Sequence, residues 1–293
     1  MTMHITSDVP VPTFQPRRPW PTLLAWLATL VVISLIATLI VVKVVRSEPS
    51  GGLDPVTQVS DAVATNLATV PESAFAAAKA TPVPMVDVLH PRRGPILTGI
   101  SPNGARLPLV VFVGTESSMS SAAERWALIV ALSRFGRFTK LGAVTSSATA
   151  WPPSLESFTF RGARYRSAYL AFAGYELSAE HPDDLGNYPT AATLPPDIAN
   201  LVRTNDTTAS DLASAPSGVA AEPAYPFVDL GGRSVLVGTQ VPPSALIGIS
   251  RFDLSNILAG PPRFKSLSVL TAANELVVQL CGLTHGKPVK VCR

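Results

Sequence analysis

Residues 107–136 read LPLVVFVGTESSMSSAAERWALIVALSRFG, and this stretch decides the fold. Its first seven residues, Leu107–Val113, are a continuous apolar run with the length and composition of a buried strand. A polar loop, Gly114–Ser121, follows it, and Ala122–Phe135 is then predicted to be a helix. Apolar side chains recur at three- and four-residue spacing along one face of that helix. The stretch therefore predicts a buried strand, a short loop and a helix that packs back onto the strand.

Further strands and helices are predicted downstream of this stretch. We expect Leu141–Thr145 to be the next strand, parallel to the first, which closes a strand–helix–strand unit. Residues 157–160 and 165–177 are predicted to pair around a turn at Arg161-Gly162, and residues 178–222 to form a polar, turn-rich insertion. A hairpin and two helices complete the chain: Phe227–Leu230 with Ser234–Val237, then Pro243–Leu258 and Lys265–Leu280. The predicted fold class is α/β, with one domain over residues 107–293.

An apolar run near the N-terminus predicts a membrane anchor. Thr22–Val42 has no charged residue, and at about 1.5 Å per residue a helix of this length spans a bilayer core of about 30 Å. A cleaved signal peptide is the alternative, but its apolar region is only about 7–15 residues long. We therefore expect a short tail at residues 1–21, a transmembrane helix at residues 22–46 and a single-pass protein.

The segment between the anchor and residue 107 is predicted to be a linker. Residues 55–80 have helical periodicity in two pieces, separated at Pro71, and residues 81–106 are an extended connector with five prolines. The basic residues on both sides of the anchor are equal in number, so charge does not decide the orientation. Because the N-terminal tail is short and proline-rich, we expect the folded domain to lie outside the cytoplasm.

Both cysteines, Cys281 and Cys292, lie within the last thirteen residues. A disulfide that joins them would pin the C-terminal tail to the preceding helix, and such a bond persists only in an oxidising compartment. The alternative is a redox-active pair, but reactive thiols usually lie at a helix N-terminus and Cys281 follows an apolar helical run. The four histidines form no ligand spacing with the cysteines, so we expect no metal and no cofactor.

Composition excludes one large class of function. The formal net charge is +3, and no stretch interleaves Lys or Arg with aromatic residues. Nucleic-acid binding domains carry a much more basic patch or stripe. We therefore expect no nucleic-acid partner.

Four motifs in this sequence resemble an uncharacterised thioredoxin-like family, domain of unknown function 929. The first is Val113–Gly136, where the family typically reads G-A-E-x-C-P-x-C-A-A-E-R-W followed by A-L-S-R-F-G. The other three are Phe158–Ala163, Pro226–Gly231 and Cys281–Cys292, and the resemblance covers roughly residues 97–293 in the right order. The resemblance implies a thioredoxin-like fold, and with the anchor it suggests an actinobacterial-type, membrane-anchored member of the family.

The sequence departs from the family pattern at the C-P-x-C motif, where it has Ser118, Met119, Ser120 and Ser121. Serine has no accessible thiolate, so a dithiol mechanism cannot operate at these positions. Ser118 as a nucleophile needs an activating base, and the sequence offers no obvious histidine for that role. The charged residues around the same loop, Glu116, Glu124 and Arg125, are interpreted as a surface ion pair rather than as catalytic groups.

The resemblance also implies a binding edge beside that loop. In thioredoxin-like folds an X-cis-Pro pair precedes the hairpin strand, and here that pair is Tyr225-Pro226. The edge of such folds receives an extended peptide by backbone pairing, which needs no thiol. The alternative is that Pro226 merely begins a strand.

Two functions of different classes follow from these observations. The first is a non-catalytic, membrane-tethered thioredoxin-like module that binds a partner protein or peptide on the outer face of the cytoplasmic membrane. The second is an envelope thiol–disulfide oxidoreductase that uses Cys281 and Cys292. A degenerate paralogue that keeps the fold and has no partner is a third interpretation.

Overall fold

A computed structural model describes residues 53–83, 89–92, 94–101, 104–205 and 225–292, all within one compact unit of residues 51–293. The predicted anchor, Thr22–Val42, lies outside the described residues, as does most of the second half of the predicted insertion. The ten described strands are β1 (Leu89–Pro91), β2 (Thr98–Ile100), β3 (Arg106–Gly114), β4 (Gly136–Thr139), β5 (Gly142–Thr145), β6 (Glu156–Thr159), β7 (Arg164–Ser167), β8 (Ala171–Glu176), β9 (Phe227–Leu230) and β10 (Ser234–Val237).

Six α-helices and one 3₁₀ turn are described with these strands. The helices are α1 (Asp61–Ala68), α2 (Glu72–Ala80), α3 (Met119–Ser133), α4 (Pro196–Asn205), α5 (Arg251–Ala259) and α6 (Phe264–Leu283), and the 3₁₀ turn is Pro243–Leu246. The protein is a mixed α/β structure, which confirms the predicted fold class at that level.

The sheet is built around β3, whose apolar residues pair on both sides. β8 runs parallel to β3 over Leu109–Gly114, and β9 runs antiparallel to it over Val110–Val113. β10 then pairs with β9, and β1 with β10, so that the strand order is β1-β10-β9-β3-β8. β2 pairs with the first residues of β3. Because its alternate side chains belong to two hydrophobic cores, one on each face of the sheet, the second half of β3 is fully buried, as the apolar run predicted.

Two predicted strand pairings are wrong. β5 was expected to be the parallel neighbour of β3, but β5 pairs with β6 in a separate two-stranded sheet, and β8 is that neighbour. The strand expected over residues 165–177 is two strands, of which β7 pairs with β4 and not with β6. β8 matches six residues of β3 whereas β5 has only four, so β8 satisfies more of the backbone groups of β3.

Helices α1 and α2 belong to the folded unit. They form the two helical pieces that the sequence predicts, with Pro71 at the N-cap of α2. Their buried apolar side chains join the main hydrophobic core: Val63, Leu67, Ala74, Phe75 and Ala78. The predicted linker over residues 47–106 is therefore wrong for these residues, because helical spacing gives each helix an apolar face that packs on the domain.

Helix α6 is the one described helix that is long and apolar enough to span a membrane by length and composition. It lies at the C-terminal end of the chain, and eleven of its 20 residues are buried inside the unit. Its buried apolar residues belong to the same core as those of α3.

Candidate functional site

The residues that replace the family's C-P-x-C motif form a turn at the start of α3. We call Thr115–Ser121 the serine turn. Ser118 is the N-cap of α3, and its Oγ accepts a hydrogen bond from the backbone N–H of Ser121 at 3.1 Å. The Oγ of Ser121 is buried and accepts the backbone N–H of Thr115 at 3.4 Å. Each hydroxyl therefore satisfies a backbone donor of the turn, as capping serines do.

Neither hydroxyl is arranged as a nucleophile. Among the described residues, the hydrogen bonds of Ser118 and Ser121 involve backbone groups only, and no histidine or carboxylate contacts either one. Met119 is half-buried and packs against the core, and Ser120 is also half-buried. No group of three His, Cys, Asp or Glu side chains in the described part of the chain is placed to hold a metal ion.

A buried ion pair lies directly behind the serine turn. Arg125, the seventh residue of α3, donates Nε–H and Nη2–H hydrogen bonds to Glu176 at 3.0 and 2.6 Å. Nη2 of Arg125 also donates to the carbonyl of Thr115 at 2.7 Å. Burial raises the pKa of Glu176, and the charge and hydrogen bonds of Arg125 oppose that rise. Arg125 thus fixes the first residue of the serine turn to α3 and to the end of β8.

Glu116, a residue of the serine turn, forms a second ion pair with Arg161, which lies between β6 and β7. Its buried carboxylate accepts from Thr159 Oγ1 at 2.5 Å and from Arg161 Nε at 3.1 Å. The interpretation of Glu116, Glu124 and Arg125 as a surface ion pair is therefore wrong, because none of the three is exposed to solvent and they do not pair with one another.

Glu124 is a buried acid with no described cation beside it. One carboxylate oxygen, Oε2, accepts the backbone N–H of Gln240 at 2.8 Å and the hydroxyl of Thr239 at 3.1 Å. Burial raises the pKa of Glu124 to about 7, and these hydrogen bonds only partly offset that effect. Its Oε1 and the Oε1 of Gln240 are both buried and have no hydrogen-bond partner among the described groups. No clear signal in the sequence marks this buried acid, because Glu124 is followed directly by Arg125 and charged residues are rarely buried.

The structure brings Tyr225-Pro226 to the start of the serine turn. The peptide bond between them is cis. In the β3–β9 register Val113 lies opposite Phe227, so the next position places Pro226 beside Gly114, the residue before the turn. The carbonyl of Pro226 accepts the N–H of Gly238 at 2.8 Å, which ties it to the end of β10.

The two cysteines lie elsewhere. Cys281 and Cys292 form a disulfide with their Cα atoms 5.5 Å apart. Cys281 is in the last turn of α6, and Leu283 of that turn packs against Gly231, whose N–H donates to the carbonyl of Leu109. Leu109 and Gly114 stand five residues apart on β3, or roughly 17 Å at the rise of an extended strand. The disulfide and the serine turn are thus at opposite ends of the central strand.

A comparison with protein-family models gives one match. The family described as domain of unknown function (DUF929) matches residues 100–281, which is more than half of the chain. The chain belongs to the DUF929 family. The DUF929 match contains the serine turn, its buried charges, Tyr225-Pro226 and Cys281, while Cys292 lies beyond it. No curated protein and no solved structure matches this chain.

Proposed function

We propose that this DUF929 protein is a membrane-tethered, thioredoxin-like module that binds a partner protein or peptide on the outer face of the cytoplasmic membrane and catalyses no thiol chemistry. The fold part of this proposal rests on the order of the elements. A strand, a helix, a parallel strand, an antiparallel hairpin and a final helix occur in this order as β3, α3, β8, β9–β10 and α6, with β4–β7, α4 and α5 inserted between them. This order supports a thioredoxin-like domain, in which the serine turn would take the position of the active-site loop.

The functional part of the proposal rests on the hydrogen bonds of the two serine hydroxyls. At the positions where the family pattern has thiols, both Oγ atoms accept backbone N–H groups within the turn. A serine hydroxyl has no thiolate form, and among the described residues no base forms a hydrogen bond with either Oγ. The fold around the turn is nevertheless built with two buried ion pairs, so the shape is retained where the thiol chemistry is absent.

The membrane part rests on the sequence. Thr22–Val42 is an uncharged run long enough to span a bilayer, and it precedes the folded unit. The disulfide between Cys281 and Cys292 is stable only in an oxidising compartment, which supports an extracytoplasmic location of the domain.

A thiol–disulfide oxidoreductase that uses Cys281 and Cys292 is the second candidate. One observation favours it, because both cysteines line a cleft of about 500 Å³ between α2 and α6. Two observations oppose it. The pair lies at the far end of β3 from the serine turn, and Cys281 is at the C-terminal end of a helix, where the dipole disfavours a thiolate.

An insulin-reduction assay on the full chain in mild detergent separates the two candidates. We expect no activity above background from the wild type or from Cys281→Ala. The variant S118C/S121C restores the family's thiols at the start of α3 and serves as the matched positive control. Wild-type activity that disappears in Cys281→Ala would replace the binding proposal with the oxidoreductase.

A further inference from the structure

Two loops beside the serine turn each present one large apolar side chain to solvent. Trp151 is 79% exposed and Leu185 is 85% exposed, which makes them the two most exposed large hydrophobic side chains in the described part of the chain. Exposed apolar side chains mark an interaction surface when several of them lie on the same part of a protein, and binding residues are often carried by loops on a rigid scaffold.

Both loops are closed by their own hydrogen bonds. In the loop Ser147–Ser154, the carbonyl of Ser147 accepts the N–H of Ser154 at 3.2 Å, and its hydroxyl contacts Thr149. In the loop Asp183–Asn187, Oδ1 of Asp183 accepts the N–H groups of Leu185 and Asn187 at 2.9 and 2.8 Å. The side chains of Trp151 and Leu185 are therefore presented by ordered turns, which lowers the entropy lost when a partner binds.

The same loops are attached to the serine turn and to each other. The N–H of Ser147 donates to the carbonyl of Ser117 at 2.8 Å, and the N–H of Glu116 donates to the carbonyl of Ser178 at 3.1 Å. Tyr188 joins the two loops, because its hydroxyl donates to Oγ of Ser147 at 2.8 Å. Trp151 and Leu185 thus stand on two loops that meet near Ser147 and Tyr188, at the end of β3 where the serine turn lies.

This surface carries negative charge. Residues 180–187 contain three carboxylates and no Lys or Arg, while residues 147–154 have no charged side chain. Asp183 and Asp184 are exposed, whereas Glu180 accepts the N–H of Thr145 at 2.6 Å and interacts with the guanidinium of Arg251. Such a surface attracts a cationic partner and repels an anionic one, including an anionic bilayer.

We infer that Trp151, Leu185, Asp183 and Asp184 form a docking rim for a partner segment in which an apolar side chain lies next to lysine or arginine. The apolar side chain packs against the exposed Trp151 and Leu185, and the cation pairs with the carboxylates. This inference deepens the proposed function, since it names the surface and the chemistry of the partner, and it rests on that function.

Two synthetic peptides test the rim on the full chain in mild detergent. Both have a central Phe-Leu pair, flanked by two lysines on each side in one peptide and by two glutamates in the other. Fluorescence anisotropy of the labelled peptides gives the affinities. We expect the lysine peptide to bind at least about tenfold more tightly than the glutamate peptide. Trp151→Ser and Leu185→Ser should each weaken its binding by roughly fivefold or more.

Two further variants control the experiment. Asp184→Asn should reduce the preference for the lysine peptide, because it removes a charge without altering the turn that Asp183 closes. Phe264→Ser removes another exposed aromatic side chain, 72% exposed at the start of α6, and should leave both affinities unchanged. Equal affinity for the two peptides, or unchanged binding in Trp151→Ser and Leu185→Ser, overturns the inference.

The outcomes also separate the rim from the proposed function. Failure of the peptides to bind, with no insulin reduction by the wild type, rejects the rim and leaves the non-catalytic module intact. Insulin reduction by the wild type rejects the proposed function whatever the peptides do. If the Trp151 emission, taken as the difference between wild type and Trp151→Ser, shifts to the blue in phosphatidylglycerol nanodiscs, the rim faces lipid and the inference fails.

Discussion

Arg125 and Glu176 form a two-hydrogen-bond ion pair that solvent does not reach, with contacts of 2.6 and 3.0 Å. The pair joins α3 to the end of β8, the strand parallel to β3. Because Arg125 also binds the carbonyl of Thr115, the serine turn, the helix behind it and the neighbouring strand are held by one guanidinium. The serine turn, which carries no thiols, is thus positioned by a buried ion pair. Burying each charge is costly, so the stability of this arrangement depends strongly on the opposite charge being present.

Loss of Arg125 alone should destabilise the protein strongly. Arg125→Met leaves the Glu176 carboxylate buried without a cation, and we expect the free energy of unfolding to fall by roughly 3–5 kcal/mol. Urea unfolding of the full chain in detergent, followed by circular dichroism, measures the change. The double variant R125M/E176L removes both charges and should regain much of the loss, because no uncompensated charge remains.

The matched control is Glu72→Gln, at an ion pair between the exposed Glu72 and Arg134 at the end of the same helix. Its cost should stay under about 1 kcal/mol, because the Glu72 side chain is 70% exposed and solvent screens its charge. If the loss of unfolding free energy in R125M/E176L equals the sum of the losses in Arg125→Met and Glu176→Leu, the two charges do not act as a pair.

Glu124 should make stability fall as the pH rises through neutrality. Its pKa is raised from 4.5 to about 7 in the folded protein, so the folded state binds the proton more tightly than the unfolded state does. The resulting stabilisation is fully present below pH 4.5 and is lost as the pH rises through 7; it amounts to about 3 kcal/mol. Glu124→Gln keeps an acceptor for the N–H of Gln240 and cannot ionise.

The measurement is the difference in unfolding free energy between wild type and Glu124→Gln at pH 4.5 and at pH 8. We expect Glu124→Gln to gain stability relative to the wild type over that interval. Glu275→Gln, at an exposed position of α6, provides the control and should show no comparable trend. A difference that does not change with pH would mean that Glu124 is ionised throughout.

The local pattern predicted the elements better than their partners. The buried strand, the helix behind the serine turn and the hairpin at Gly231 are each set by residues close in sequence. The pairing of β8 with β3 is not, because short strands of similar composition compete for the same neighbour and periodicity does not rank them. The family model did identify the DUF929 membership that the motifs suggested.

The burial of the charged residues could not be predicted from the local sequence pattern, for a related reason. Charged residues are rarely buried, so Glu116, Glu124 and Arg125 suggested a helix surface. Their partners lie far along the chain, at sequence separations of 45 for Arg161, 51 for Glu176 and 116 for Gln240. Only the tertiary structure brings these groups together, so the site's electrostatics could not be predicted from the stretch that decides its fold.

Ser118 should act as a helix cap and not as a nucleophile. Ser118→Ala removes the Oγ that accepts the N–H of Ser121, and we expect a loss of about 1 kcal/mol in unfolding free energy. Ser118→Asp keeps an acceptor at the N-cap and should retain most of the stability. Urea unfolding measures both variants. Equal loss in the two variants would show that the hydroxyl has a role other than capping.

Removal of the disulfide should lower the free energy of unfolding and should not change the activity in the insulin-reduction assay. The bond joins residues eleven apart, and opening so short a loop costs roughly 2–3 kcal/mol in the chain-entropy model. We therefore expect the variant C281A/C292A to unfold at lower urea concentration than the oxidised wild type. Dithiothreitol should destabilise the wild type by a similar amount and leave C281A/C292A unchanged, which separates the cross-link from the loss of packing by the two sulfur atoms. Alkylation shows whether dithiothreitol has freed both thiols of the wild type. If both are free and stability is unchanged, the C-terminal tail is held to α6 by its packing on the core and not by the disulfide.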